Sequence, residues 1–164
     1  MVFLIDFIRK HIETFYGVTI LLLILVLLFG TERNDFTGFV GMKVTVGSNP
    51  IRVSSIGRMY LAGNSEGHRI KIVRVSDNET IAAKSVGMRN WVHQQFKYKE
   101  ISPAVVLDAN TSYYIVSKEE SGKDKWYDSN TSVAPSSEFT IDGAIQSPNN
   151  RDWANPSGSL QPLG

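Results

Sequence analysis

The sequence predicts an all-β protein: an antiparallel β-sandwich that follows one N-terminal transmembrane α-helix and precedes an extended C-terminal tail. Three observations lead to this prediction. Residues 14–31 form an apolar run without a charge, residues 36–133 alternate apolar and polar side chains in short runs, and residues 134–164 are rich in Pro, Ser and Asn. With 164 residues, the chain has room for one globular domain beside the helix and the tail.

The composition excludes several classes of function. Seventeen Lys and Arg side chains face sixteen Asp and Glu, a net charge of +1, and nucleic-acid binding needs a clear basic excess. The chain has no cysteine, which excludes disulfides, thiolate zinc sites and a cysteine nucleophile. His11, His68 and His93 do not fall in the spacing of a metal site or a catalytic triad. The sequence therefore predicts no catalytic residue, no metal site and no cofactor.

The apolar run predicts a membrane-spanning helix. Its eighteen residues rise about 27 Å as a helix, close to the hydrocarbon thickness of a bilayer. Phe15 and Tyr16 lie at one end and Phe29 at the other, where aromatic belts are found. The alternatives are a cleaved signal peptide and a buried core helix. Leu28-Phe29-Gly30 lacks the small-residue pattern of a cleavage site, so we favour the transmembrane helix.

Charges that flank the helix predict its orientation. Arg9 and Lys10 precede it, whereas Arg33 alone follows closely, so the positive-inside rule places the N-terminus in the cytoplasm. Residues 1–13 alternate apolar and charged side chains and predict a short cytoplasmic segment in the membrane interface. The remainder of the chain is expected outside the cytoplasm.

Short alternating runs predict the strands of the sandwich. In residues 68–76, Ile70 and Ile72 alternate with Arg69 and Lys71, and Asp77-Asn78-Glu79 supplies a turn. Comparable runs rich in Val, Ile, Tyr and Phe recur about every ten residues between 36 and 133. This spacing is typical of an all-β sandwich.

The order of motifs in this region resembles a known module. The motifs are Val46-Gly47-Ser48-Asn49-Pro50-Ile51, Ile56-Gly57-Arg58-Met59, Leu61-Ala62-Gly63-Asn64-Ser65, Gly67-His68, Gln95-Phe96-Lys97-Tyr98, the run from Leu107 to Ser117, Lys118-Glu119, and Asp124-Lys125-Trp126-Tyr127-Asp128. They resemble a small β-sandwich module of secreted bacterial proteins, the domain-of-unknown-function family DUF4082, and jelly-roll carbohydrate-binding modules. The resemblance covers about three-fifths of the chain. It implies a jelly-roll-like fold, a bacterial inner membrane as the location, and glycan binding as a candidate activity.

Residues of this region suggest two candidate ligand sites. Asp124, Trp126, Tyr127 and Asp128 are the candidate glycan platform, with aromatic rings to stack on sugar and acids to accept hydroxyl hydrogen bonds. Neighbouring strand residues point to opposite faces, so one of the two rings is expected in the core. The second candidate is a calcium site, whose oxygen ligands would come from Asp77, Asp108, Asp124 and Asp128. The simpler interpretation is that these acids form turns.

The tail is predicted to be an arm docked on a neighbouring protein. Pro135, Pro148, Pro156 and Pro162 favour extended backbone, and the composition is too polar for a separate core. The apolar anchors of the arm, through which it would bind a partner, are Phe139, Ile141, Ile145, Trp153 and Leu160. Packing along its own sandwich and a disordered linker are the alternatives.

These features together predict a non-catalytic, single-span accessory subunit of a multisubunit membrane complex. Photosynthetic and respiratory assemblies contain subunits of this kind. The expected partners are other membrane-protein subunits and the lipid bilayer, with no nucleic acid. Residues 36–132 carry thirteen Lys and Arg against nine Asp and Glu, which suits an acidic partner or an anionic membrane surface. A membrane-tethered glycan-binding module is the alternative, and a membrane-anchored enzyme lacks a catalytic constellation in the sequence.

Overall fold

The computed structural model describes residues 31–129, 132–133, 137–156 and 161–162. These residues form eleven strands. In chain order the strands are β1 (Thr31–Arg33), β2 (Gly38–Val46), β3 (Ile51–Met59), β4 (Gly67–Arg74), β5 (Thr80–Gly87), β6 (Phe96–Leu107), β7 (Ser112–Glu119), β8 (Trp126–Ser129), β9 (Ser132–Val133), β10 (Phe139–Ser147) and β11 (Gln161–Pro162). The all-β prediction is confirmed for this part of the chain.

One large sheet organises the domain. Five strands pair in the order β10-β2-β7-β4-β5, all antiparallel. A second antiparallel pair, β3 and β6, runs from Ile51 opposite Leu107 to Met59 opposite Phe96. Two short pairs, β1 with β8 and β9 with β11, complete the described strands.

The main core lies between the five-stranded sheet and the β3–β6 pair. Alternation along β2 turns Val40, Met42 and Val44 inward, and each is at most 2% exposed. The β3–β6 pair adds Val53, Ile56, Ile101 and Leu107 to the same core, and β8 adds Trp126. Burial of each aliphatic side chain contributes about 1.5–3 kcal/mol, so this cluster holds the two layers together.

The predicted boundary at residue 133 was wrong, because β10 is a strand of the large sheet. Phe139 pairs with Val46 at one end of β10, and Ser147 pairs with Phe39 at the other. Phe139 and Ile141 pack against the main core. The register shifts between Ile141 and Gly143, and this bulge interrupts the alternation that identifies a strand in the sequence.

The end of β10 and the segment after it cover part of the outer face of the same sheet. Ile145 packs with Phe39 and Val116 in a second cluster, against which Tyr114 and Trp153 also pack. The Trp153 and Tyr114 rings lie 4.6 Å apart, and Trp153 Nε1 donates a hydrogen bond to Asn78 Oδ1 at 3.0 Å. Residues 137–156 thus pack on their own domain, which was the alternative to an arm, and docking of the tail on a neighbour stays a prediction. Leu160 lies outside the described residues.

The predicted membrane helix also lies outside them, apart from Thr31 in β1. Within the described ranges, no helix is long and apolar enough to cross a membrane. The predicted interfacial segment at residues 1–13 is likewise outside the description.

Close strand packing at Gly41 gives a test of this fold. A Cβ atom there would overlap the carbonyl oxygen of Ile115 and lie 2.8 Å from the Cα of Val116. At Gly87, in β5, a Cβ would meet nothing within 4 Å. We expect Gly41→Ala to lower the free energy of unfolding by about 1–3 kcal/mol or more.

The measurement is denaturant unfolding of the full chain in detergent, followed by tryptophan fluorescence. Gly87→Ala is the matched control and should stay within about 0.5 kcal/mol of the wild type. Equal effects of the two substitutions would contradict the packing of β2 against β7.

Candidate functional site

Four ionisable side chains form a buried network at one end of the domain. Arg58, His68, Glu119 and Asp124 are 1%, 3%, 1% and 6% exposed. Arg58 donates from Nε to Glu119 Oε1 at 2.9 Å and from Nη2 to Glu119 Oε2 at 3.0 Å. His68 Nδ1 lies 3.0 Å from Glu119 Oε2, and its Nε2 lies 2.9 Å from Asp124 Oδ2. With both ring nitrogens protonated, the network holds two cations and two anions.

Strand ends bring these side chains together. The antiparallel register that pairs Ile70 with Ser117 places His68, near the start of β4, beside Glu119 at the end of β7. Arg58 comes from β3, in the other layer, so its bidentate contact with Glu119 joins the two sheets. Charge-assisted bidentate pairs are among the stronger hydrogen-bonded contacts in proteins.

The network also fixes two loops. Asp124 accepts hydrogen bonds from the backbone N–H groups of Ser65 and Glu66 at 2.8 and 2.9 Å. Asn64 and the backbone of Lys125 exchange two hydrogen bonds of 2.9 Å. Arg58 Nη2 donates to the Lys125 carbonyl at 2.9 Å. The loop before β4 and the loop before β8 are thereby held to each other and to both sheets.

Mutual contacts set the protonation of the network. Burial alone lowers the pKa of His68, but the hydrogen bond and charge of Glu119, with the hydrogen bond of Asp124, outweigh burial and the Arg58 charge. The pKa of His68 is therefore raised above 6.5. Burial raises the pKa of Glu119 and of Asp124, yet the contacts with His68, the Arg58 charge at Glu119 and the backbone N–H groups at Asp124 lower both below their ordinary values. The charged forms are thus favoured in the folded protein.

The chemistry of this arrangement suits a structural role, in which the network holds strands and loops of the domain together. Both His68 nitrogens and the carboxylates of Glu119 and Asp124 contact partners inside the domain. These groups are buried, so little of their surface is accessible to a ligand in solution. Within the described residues, no group of three or more His, Asp or Glu side chains is arranged to hold a metal ion.

The structure disperses the candidate glycan platform. Trp126 is 1% exposed in the main core, and Tyr127 is 7% exposed in a small cluster with Met59 and Leu61. Both rings are buried, whereas the sequence predicted that only one of them would be. Asp124 belongs to the ionic network, and the side chain of Asp128 is outside the description. A stacking platform for sugar needs an exposed ring face, which Trp126 and Tyr127 do not offer.

The remaining predicted site residues lie elsewhere. Of the candidate calcium ligands, Asp77 accepts a hydrogen bond from Arg74 at 2.8 Å and another from the Glu79 N–H at 3.1 Å. It thus forms the turn between β4 and β5. The partner anchors Phe139, Ile141, Ile145 and Trp153 contact their own domain.

A row of basic side chains follows the outer face of the large sheet. Arg69 and Lys118 are exposed on adjacent strands, and Lys71 lies between them and the Trp153 segment. The Nζ atom of Lys71 lies 4.3 Å from the Phe39 ring centroid and donates to Asn150 Oδ1 at 3.2 Å. Burial and the charges of Arg69 and Lys118 lower the pKa of Lys71. We call Arg69, Lys71 and Lys118 the basic row.

Sequence reasoning did not identify the ionic network. Arg58 and Glu119 lie 61 positions apart, and His68 and Asp124 lie 56 apart. The signal was present in the motifs Gly57-Arg58, Gly67-His68 and Lys118-Glu119, but their pairing depends on strand order. Charged residues at strand ends are ordinarily solvated.

Comparisons of the chain with models of known protein families, with curated proteins and with solved structures find no match. The resemblance to the bacterial β-sandwich module remains a prediction from the motifs.

Removal of one charge tests the network as a structural device. Glu119→Gln leaves Arg58 buried without its anion, which should lower the free energy of unfolding by about 3–5 kcal/mol. Glu120→Gln, at the exposed neighbour, is the control and should change it by less than about 0.5 kcal/mol. Denaturant unfolding of the full chain measures both, and a mild effect of Glu119→Gln would mean that the pair contributes little.

The raised pKa of His68 predicts a pH dependence of stability. Because the folded pKa lies above 6.5, the contribution of His68 is complete below that pH and is lost as pH rises through the folded value. The slope approaches about 1.4 kcal/mol per pH unit in that range. The lowered pKa values of Glu119 and Asp124 act in the opposite sense, with stability lost as pH falls through their folded values.

Unfolding of the full chain between about pH 6 and about pH 9 measures the His68 contribution. His68→Gln should flatten the decline, whereas His93→Gln, at an exposed position, should retain it. A wild-type profile that rises over this interval would contradict the assignment.

Proposed function

We propose that this protein is a non-catalytic accessory subunit of a multisubunit membrane complex. In this proposal the helix predicted at residues 14–31 tethers the chain, and its β domain, a jelly-roll-type sandwich, is a rigid contact module outside the cytoplasm. The observation that carries the proposal is the ionic network. Three side chains suited to acid–base chemistry, His68, Glu119 and Asp124, are buried and engaged with one another and with Arg58.

Rigidity supports a role in binding. Arg58 and Glu119 join the two layers, and Asp124 fixes the loop at Ser65 and Glu66. A surface whose geometry is set before association loses less conformational entropy when it binds. The network therefore serves the domain by keeping its exposed faces in fixed positions.

The basic row is the surface that we assign to a protein partner. Arg69 and Lys118 project from adjacent strands, with Lys71 beside them. Three cations on a firmly paired sheet complement an acidic surface, and such complementarity accelerates association and selects partners. We infer that a neighbouring subunit presents carboxylates to this row.

Charge reversal in the intact protein tests this role. The full chain, carrying an affinity tag, is recovered from its native membrane in mild detergent, and co-purifying proteins are quantified. We expect a stable stoichiometric complex with the wild type. Arg69→Glu/Lys118→Glu should reduce the recovered partner at least about tenfold, because two attractive contacts become repulsive.

The matched control is Arg52→Glu/Lys123→Glu, which makes the same charge change at two exposed positions that are not part of the basic row. It should retain the partner. Recovery of the wild-type chain without any stoichiometric partner would contradict the accessory-subunit proposal. Retention of the full chain on immobilised glycans under the same conditions would favour the alternative, a membrane-tethered glycan-binding module.

A further inference from the structure

An aromatic and basic surface lies on the loop between β5 and β6. Trp91 and Val92 are 44% and 55% exposed, and Tyr98, on β6, is 39% exposed. The Phe96 and Tyr98 rings stack with centroids 5.8 Å apart, and Trp91 Nε1 donates to the Phe96 carbonyl at 3.2 Å. We call residues 89–95, which carry Trp91 and Val92, the aromatic patch.

The exposed side chains stand on an anchored loop. Met88 is fully buried and its N–H donates to the Glu66 carbonyl at 2.8 Å. At the other end, the Gln94 N–H donates to the Tyr60 carbonyl at 2.8 Å, and the Tyr60 N–H donates to the Gln95 carbonyl at 2.9 Å. Trp91 and Val92 therefore project from a loop that is held at both ends.

Basic side chains border the aromatic patch. Lys97 Nζ lies 5.4 Å from the Trp91 ring centroid and donates to the Arg89 carbonyl at 3.0 Å. Lys99 is exposed two residues further along β6, and Arg89 is exposed in the loop. An acidic residue, Glu100, follows Lys99. Interfacial Trp and Tyr beside Lys and Arg are the side chains that anchor proteins at the headgroup level of a bilayer.

The patch adjoins the strand through which the chain leaves the predicted membrane helix. Gln94 Nε2 donates to the Tyr127 hydroxyl at 3.3 Å, and that hydroxyl donates to Glu32 Oε1 at 3.4 Å. Glu32 is the second residue of β1, directly after the helix predicted at residues 14–31. Two hydrogen bonds through one hydroxyl thus connect the loop to the membrane-proximal strand.

We propose that the aromatic patch docks on the anionic phospholipid surface from which the chain emerges. Trp91 and Val92 enter the interface, while Arg89, Lys97 and Lys99 contact lipid phosphates. This inference rests on the membrane tether in the proposed function and adds a second attachment point. A tethered domain with a second contact has a fixed orientation on the membrane, because the tether supplies a high effective concentration of lipid surface.

The probe is bromine-labelled phospholipid, which quenches tryptophan emission near the acyl chains. The full chain is reconstituted in vesicles of phosphatidylcholine with or without phosphatidylglycerol, with brominated chains in both leaflets. Subtraction of the Trp91→Phe signal isolates Trp91, since Trp126 and Trp153 are common to both proteins. In anionic vesicles we expect the Trp91 emission to be quenched roughly twofold or more.

Charge variants separate lipid docking from nonspecific proximity. Lys97→Gln/Lys99→Gln should lose most of the quenching, whereas Arg52→Gln/Lys123→Gln, with the same charge change elsewhere, should keep it. Quenching should also weaken between about 0.1 M and about 1 M salt, where the Debye length falls from roughly 10 to roughly 3 Å. Trp91 emission that is unquenched in anionic vesicles, and as accessible to aqueous iodide as in detergent, would overturn the proposal and assign the patch to a protein surface.

Alkaline extraction of the same vesicles distinguishes failure of the membrane tether from failure of the lipid docking. A chain that is washed off by carbonate has no membrane helix, which contradicts the tether and the docking together. A chain that resists extraction but shows unquenched Trp91 contradicts the docking alone.

Discussion

The contact between Arg58 and Glu119 is the constraint on which the described structure depends. It crosses from the β3–β6 pair to the five-stranded sheet, inside a region where neither side chain is more than 1% exposed. Burial of ions is costly unless each has a well-placed partner. The two charges therefore have to meet whenever the layers pack, because separating them would leave a buried ion without its partner.

His68 and Asp124 extend this constraint to the loops. Once Glu119 is fixed by Arg58, the His68 ring lies between two carboxylates, and Asp124 in turn holds the N–H groups of Ser65 and Glu66. Loops are usually the more mobile parts of a β domain, but these two are bound into the ionic network. The two loops are therefore held to each other and to both layers.

Strand β10 changes the meaning of the chain's C-terminal part. Composition alone suggested an arm for another protein, yet β10 is an edge strand of the large sheet and Trp153 covers the outer cluster of Phe39, Val116 and Ile145. Large apolar patches that stay exposed are prone to association. The chain itself thus covers the part of this face formed by Phe39, Val116 and Ile145, while Arg69 and Lys118 on the same sheet stay exposed.

The sequence by itself determined the all-β class and most strand positions, because alternation along a strand is a local property. It also determined that Asp77 forms a turn. Tertiary structure decided the rest. The bulge at Gly143 hid β10, and the burial of both Trp126 and Tyr127 depends on cover from other strands. The ionic network joins residues 50 or more positions apart, so only the order and register of the strands could bring Arg58, His68, Glu119 and Asp124 together.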